Sequence, residues 1–241
     1  MAQKEQSCQK QITQFSTMNA LLGRVYEGGF PVHLIEAEGT IGLGCGDCMD
    51  GEMIMDDSTS YIGRIGSPFS RMDTNERVPF AQVAPFAADD SFTAAKLDKQ
   101  ALMEEVLRRV GSENYFIALR VTGTFTDMKL RLAPKADKPY PSLVELFAGQ
   151  KEFSEPSIRG TVIGFWAPEA YQGITVAGLH IHFMDEAKQT GGHVLDCTLA
   201  EGTVEYEVYQ GFGIRLPERQ DFAQADLNHE DGDSAIRHAE G

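Results

Sequence analysis

Gly178-Leu179-His180-Ile181-His182-Phe183 and, a short turn later, Gly191-Gly192-His193-Val194 decide how this chain is read. Successive side chains of a β-strand point to opposite faces, so His180 and His182 share a face. Leu179, Ile181 and Phe183 take the other face and read as core. A turn at Gln189-Thr190-Gly191-Gly192 brings His193 back at the start of a partner strand. Three neutral imidazoles converging on one point suit a divalent metal such as zinc. A three-ligand set leaves a position open for water or substrate, the pattern of catalytic rather than structural zinc. The competing reading is a solvated pair of edge-strand histidines with a third in a turn.

Strand-like segments surround the histidines: Ile158 to Trp166, Ile174 to Phe183, His193 to Leu199 and Thr203 to Tyr209. Upstream, Ala133-Pro134-Lys135-Ala136-Asp137-Lys138-Pro139-Tyr140-Pro141 forbids a helix or a central strand. It reads as a connection between two halves, with a short helix from Ser142 to Ala148 after it. Before it, Tyr115 to Val121 and Phe125 to Leu132 read as two strands, with Gly123 near the turn between them. Asp98 to Val110 is the clearest helix: Asp98 caps it, Leu102, Val106 and Val110 line one face, and Gly111 follows the last turn. Ser16 to Tyr26 reads as a first helix. Glu52 to Met55 and Tyr61 to Ile65 read as strands. Pro217 ends the regular pattern. The expected fold is mixed α/β: an α/β N-terminal half over residues 1–133, a β-rich C-terminal half over 134–222, and a tail over 223–241.

The 241 residues suffice for a real core, and 42% hydrophobic with 24% charged residues is ordinary for a soluble globular chain. A net charge of −15 argues against nucleic acid or an anionic membrane as partner. Part of that charge is local, since Glu218 to the end holds seven acids and two basic residues. The first ten residues lack the apolar segment of a secretory signal. The cysteines, Cys8, Cys45, Cys48 and Cys197, do not form a secreted disulfide framework, which points to a cytosolic chain with reduced thiols.

Three further groups invite chemistry. Cys45-Gly46-Asp47-Cys48 has redox or zinc-knuckle spacing, but Met49-Asp50-Gly51-Glu52 turns into a strand rather than opening a helix. Lys129 and Arg131 alternate along one strand, which makes either a solvated basic face or an anion clamp. Glu52 and Glu240 carry no motif of their own. Ser234 to Glu240 has the composition of a short helical turn.

The histidine segments, continued through Leu195-Asp196, closely resemble acetolactate decarboxylase. The likeness extends over Gln14-Phe15-Ser16-Thr17-Met18, Val25-Tyr26-Glu27-Gly28, Asp50-Gly51-Glu52 and Val78-Pro79-Phe80-Ala81. It continues at Lys138-Pro139-Tyr140-Pro141, the segment from Gly160 to Pro168, and Ile236-Arg237-His238-Ala239-Glu240. The resemblance implies a zinc ion on His180, His182 and His193 between two α/β halves. It also implies an active-site arginine at Arg131, active-site glutamates at Glu52 and Glu240, and a tail folded back over the site. The implied substrate is a small 2-hydroxy-3-oxo acid, 2-acetolactate, converted to acetoin and carbon dioxide, and the implied assembly is a homodimer. The sequence departs from the family at Gly44-Cys45-Gly46, where the family has Gly-Thr-Phe. Cys45 stands in place of a site-lining threonine and hydrogen-bonds more weakly, while Gly46 is expected to loosen the turn.

Two rival readings stay open. A cupin-type metal oxygenase or isomerase would use Glu186 after His180-x-His182, although Gly191-Gly192-His193 lacks the proline of the second cupin motif. A metal-binding or small-molecule-binding relative that has lost its chemistry would rest on the altered Cys45-Gly46 segment.

Overall fold

Local sequence sets the helices. Asp98 accepts a hydrogen bond from the Ala101 N–H at 2.8 Å and starts the helix Lys99–Val110, which ends at Gly111. Leu102, Met103 and Val106 give it one buried face, and Arg108 and Arg109 sit in the last turn, where they favour the negative helix end.

In this computed structural model, residues 10–229 and 232–240 are described, with side chains through 237 only. From the N-terminus run β1 (Gln11–Phe15), α1 (Met18–Leu22), β2 (Phe30–Pro31), α2 (Val32–Glu36), β3 (Ile41–Cys45), β4 (Glu52–Asp56) and β5 (Thr59–Gly63). Next come β6 (Ser70–Arg71), β7 (Arg77–Val78), β8 (Ala81–Ala84), β9 (Asp90–Ala94), β10 (Leu97–Asp98) and α3 (Lys99–Val110). They are followed by β11 (Phe116–Leu132), α4 (Leu143–Phe147), β12 (Lys151–Ala167), β13 (Gly178–Asp185) and β14 (Gly191–Tyr209). The chain finishes with β15 (Gly211–Arg215), α5 (Gln220–Gln224) and α6 (Gly232–Glu240).

The fold is mixed α/β, built on two large sheets. A seven-stranded sheet runs β15-β1-β8-β3-β4-β5-β6, and β15 is parallel to β1. A six-stranded sheet runs β10-β14-β11-β12-β13, with β9 also on β14. In this second sheet β13 returns to pair with β14, where His182 faces His193 and Phe183 faces Gly192. Strands β11 to β14 therefore close on themselves. Inside the curl, Phe125, Leu130, Ile181, Phe183 and Val194 pack with Leu102 and Val106 of α3. The opposite face meets the first sheet, where Ile12, Ile41, Leu43 and Ile54 pack against Ile163, Phe165 and Met184. The expected division after residue 133 does not divide the sheets: β9, β10 and β11 lie in the second sheet, and β15 returns to the first.

Several elements differ from expectation. Residues 116–132 form one strand without a turn, paired along its length with β12 and β14. Gly123 is not a turn residue; it lies where three strands approach closely, opposite Gly160 and Gly202. A Cβ there would meet the Glu201 carbonyl oxygen at 2.3 Å. Residues 191–209 likewise form one strand, where two were expected. The first helix is short, because Thr17 caps it through the Ala20 N–H and Gly23 ends it. Two helices follow Pro217, so regular structure does not stop there. The expected turn at 189–192 ends two residues early: Asp185 accepts from the Gln189 and Thr190 N–H groups, and β14 starts at Gly191. The 134–141 connection is irregular, and a Ser142–Glu145 capping box opens α4.

Candidate active site

Strand alternation and the β13–β14 pairing bring His180, His182 and His193 onto the face that meets the first sheet. Their ring centroids lie 5.1, 5.1 and 5.3 Å apart. One ring nitrogen from each falls within 4.8 Å of the others. All three are buried. Burial, reinforced by the positive charges of Arg131 and Lys99, pushes His180 down to about 3. Burial, then Arg131, holds His193 well below the ordinary imidazole value. Neutral imidazoles keep a lone pair for a metal, so the donor set fits a divalent ion of the zinc type. The Met53 carbonyl of β4 accepts a hydrogen bond from His182 Nδ1 at 2.7 Å. A carbonyl can only accept, so Nδ1 carries the proton and Nε2 presents the lone pair.

Arg131 sits opposite His193 on the neighbouring strand and is 1% exposed. Glu52, the first residue of β4, lies between Arg131 and His182: Oε1 is 3.7 Å from Arg131 Nε and Oε2 is 3.6 Å from His182 Nε2. A tight turn delivers Glu52. Cys48 and Met49 take left-handed conformations (φ 55° and 64°), and Gly51 has φ 93°. Gly46 does not loosen this turn. Its N–H donates to the Gly51 carbonyl, and a Cβ would meet the Asp50 carbonyl oxygen at 2.3 Å, so this backbone closes tightly around a glycine. Cys45 is buried beside the site, its Sγ 3.7 Å from Met49 Sδ.

A small cavity of about 20 Å³, room for about one water, lies at this point. Glu52, Arg131, His180 and His182 form its polar side; Met18, Leu21, Cys45, Met49, Phe80 and Phe147 line the remainder with apolar and sulfur groups. Ile236 of α6 is buried in the same cluster as Cys45, Met49 and Phe147, so the last helix packs beside the site. The side chain of Glu240 lies outside the described residues.

Other candidates separate from the site. Lys129 is not part of an anion clamp: its ammonium pairs with Glu152 at 2.9 Å, and both are nearly half exposed. A β-bulge between Thr126 and Leu130 interrupts the ladder there. Cys45 and Cys48 are not joined in a disulfide: Cys48 Sγ lies 3.5 Å from the Tyr140 hydroxyl, and Cys45 Sγ lies 3.7 Å from Met49 Sδ. Glu186, required by the cupin reading, is an exposed partner of Arg159 and outside the histidine group. Phe147, Gln150 and the Met53 carbonyl were invisible in the sequence. Phe147 places its ring 4.2 Å from the Arg131 guanidinium carbon, and Gln150 Oε1 accepts a long 3.5 Å bond from Arg131 Nη1.

Comparison with known proteins agrees with this arrangement. The family model described as alpha-acetolactate decarboxylase matches residues 12–229. The alpha-acetolactate decarboxylase of Bacillus licheniformis is 37% identical over 232 residues, 96% of this chain and 92% of that protein. The one from Lactococcus lactis subsp. lactis is 33% identical over 225 residues, 91% of this chain and 94% of that protein. The crystal structure of alpha-acetolactate decarboxylase from Bacillus subtilis strain 168 superposes with a TM-score of 0.93 at 34% identity, covering 96% of this chain and 99% of that one. Because these matches run through both sheets and all three histidines, the chain belongs to the alpha-acetolactate decarboxylase family, a family of carboxy-lyases.

Proposed function

We propose that this chain converts 2-acetolactate to acetoin and carbon dioxide, with a zinc ion held by His180, His182 and His193. The observation that carries the reading is the buried three-histidine group, with Arg131 and Glu52 on the cavity beside it. When bound, the ion supplies Lewis-acid stabilisation of negative charge on the substrate oxygens. The substrate is a β-keto acid, so it contains its own electron sink and needs no organic cofactor. The bond from C2 to the carboxylate breaks, carbon dioxide leaves, and the electron pair delocalises onto the ketone oxygen as an enediolate.

Arg131 brings a guanidinium, a planar fork of donors that matches a carboxylate, to the cavity wall. In a site sheltered from water it attracts the anionic substrate and offsets the charge of the enediolate. This local attraction has to outweigh the net charge of −15, whose long-range part salt screens beyond about 8–10 Å. Glu52, beside both Arg131 and His182, is our candidate to take up a proton from solvent and deliver it to C2, and delivery from one face gives one acetoin enantiomer. Glu240 is the other candidate donor. Cys45 contributes a thiol where the family has a hydroxyl and so orients a substrate oxygen less firmly.

No described helix is long and apolar enough to cross a membrane. A cytosolic location and a homodimer complete the reading. Incubation with racemic 2-acetolactate tests it: acetoin and carbon dioxide form in equal amounts. A folded, zinc-loaded protein that produces neither overturns it, and zinc binding without turnover marks a relative that has lost the chemistry.

A further inference from the structure

We infer that Phe147 and Gln150 are positioning residues for Arg131: the corner joining α4 to β12 holds the guanidinium by its face and by one edge. The inference rests on the reading of Arg131 as the group that meets substrate negative charge. Arginine carries a planar fork of donors on a long, rotatable stem. The fork recognises a pair of oxygens only if its plane is set, and burial by itself does not set it.

Contacts with Phe147, Gln150 and Glu52, among the described residues, help to set the plane. The Phe147 ring, 6% exposed, lies 4.2 Å from the guanidinium carbon and also lines the cavity. A cation over an aromatic face is held by the ring quadrupole, and the contact strengthens away from water. Gln150 Oε1 accepts from Nη1 at 3.5 Å. Its amide cannot turn freely, because Nε2 donates to Glu152 Oε1 at 2.8 Å and Glu152 is held in turn by Lys129 at 2.9 Å. Glu52 approaches the Nε edge at 3.7 Å.

The corner itself is well fixed. The Ser142–Glu145 capping box starts α4, and the Gln150 N–H donates to the Phe147 carbonyl at 3.0 Å. Phe147 also packs in the cluster that contains Ile236 of α6. The exposed Lys129–Glu152 pair thus acts at a distance: it orients an amide that orients the buried cation.

The test compares Phe147→Leu, Phe147→Tyr, Gln150→Leu and Arg131→Lys with the parent chain, all zinc-loaded. The probes are 2-acetolactate for kcat and KM, the anion 2-hydroxy-2-methylpropanoate, and the neutral 2,3-butanediol. Phe147→Leu is expected to lower kcat/KM and the affinity for the anion by roughly tenfold, the scale of a lost desolvated cation–π contact, and to weaken the neutral diol, which meets the same wall, by much less. Gln150→Leu moves both in the same direction by less, and Phe147→Tyr restores the parent values. In the Arg131→Lys background, Phe147→Leu adds no further loss.

Equal weakening of both probes, or full additivity with Arg131→Lys, overturns the inference. A chain that makes no acetoin fails the decarboxylase reading but not this test. Nitrogen NMR of the Arg131 guanidinium reports its rotation without turnover: resolved Nη signals in the parent must merge in Phe147→Leu. Identical spectra overturn the inference.

Discussion

Replacing Glu52 by glutamine removes one charge and keeps the side-chain shape. That carboxylate, 5% exposed, lies 3.7 Å from Arg131 Nε and 3.6 Å from His182 Nε2. At an effective dielectric of about 20, unit charges at this separation attract by roughly 4 kcal/mol before desolvation is counted. Desolvation offsets much of that, and the amide oxygen still accepts a hydrogen bond, so the net cost to folding is about 2 kcal/mol. A chain of this size loses about 2–4 °C of Tm per kcal/mol, which predicts a fall of roughly 4–8 °C. Catalysis loses more. Proton delivery by a placed group contributes about 10²–10⁴-fold, so kcat falls at least a hundredfold while KM changes little. The three histidines are untouched, so zinc content stays at the parent level. The assay pairs thermal melts and zinc analysis with acetoin formation at saturating 2-acetolactate. A zinc-loaded Glu52→Gln protein with the parent kcat would refute the reasoning and pass the donor role to Glu240.

Two other outcomes test the frame around the site. Gly123→Ala forces a Cβ to 2.3 Å from the Glu201 carbonyl oxygen; urea unfolding should show about 1–3 kcal/mol of lost stability, and kcat per folded molecule should not change. Glu27 is held down to about 2 by hydrogen bonds from Lys138, then from Arg219. A folded value below the ordinary 4.5 contributes stability that is complete above that pH and lost as pH falls towards 2. Glu27→Gln should therefore flatten the acid limb of a stability–pH curve over that interval and leave neutral pH with the smaller stability; an unchanged acid limb would contradict the assignment.

How much of this was legible in the sequence depends on the range over which each feature is encoded. Strand alternation is local, so the shared face of His180 and His182 and the return of His193 could be read directly. The cap and apolar face of α3 are equally local. Gly123 misled the reading because a glycine in a turn and a glycine at a close strand crossing look alike until the partners Gly160 and Gly202 are known. Glu52 was reached by resemblance, since a lone glutamate has no pattern of its own; strand alternation offered Arg131 only beside Lys129, and the resemblance singled it out. Phe147 and Gln150 had no signal: they meet Arg131 only because the 134–141 connection folds α4 back against β11. The Met53 carbonyl is a backbone atom, and no residue type advertises it.

The proposed function stands on three buried histidines that could hold a metal ion. The direct measurement is zinc content and acetoin formation on the same samples: the chain as purified, after chelation, after zinc is restored, and as His182→Ala. A single zinc ion per chain is expected, with loss of acetoin formation on chelation, recovery with zinc, and neither tight zinc nor turnover in His182→Ala. Full turnover by the metal-free protein would contradict it.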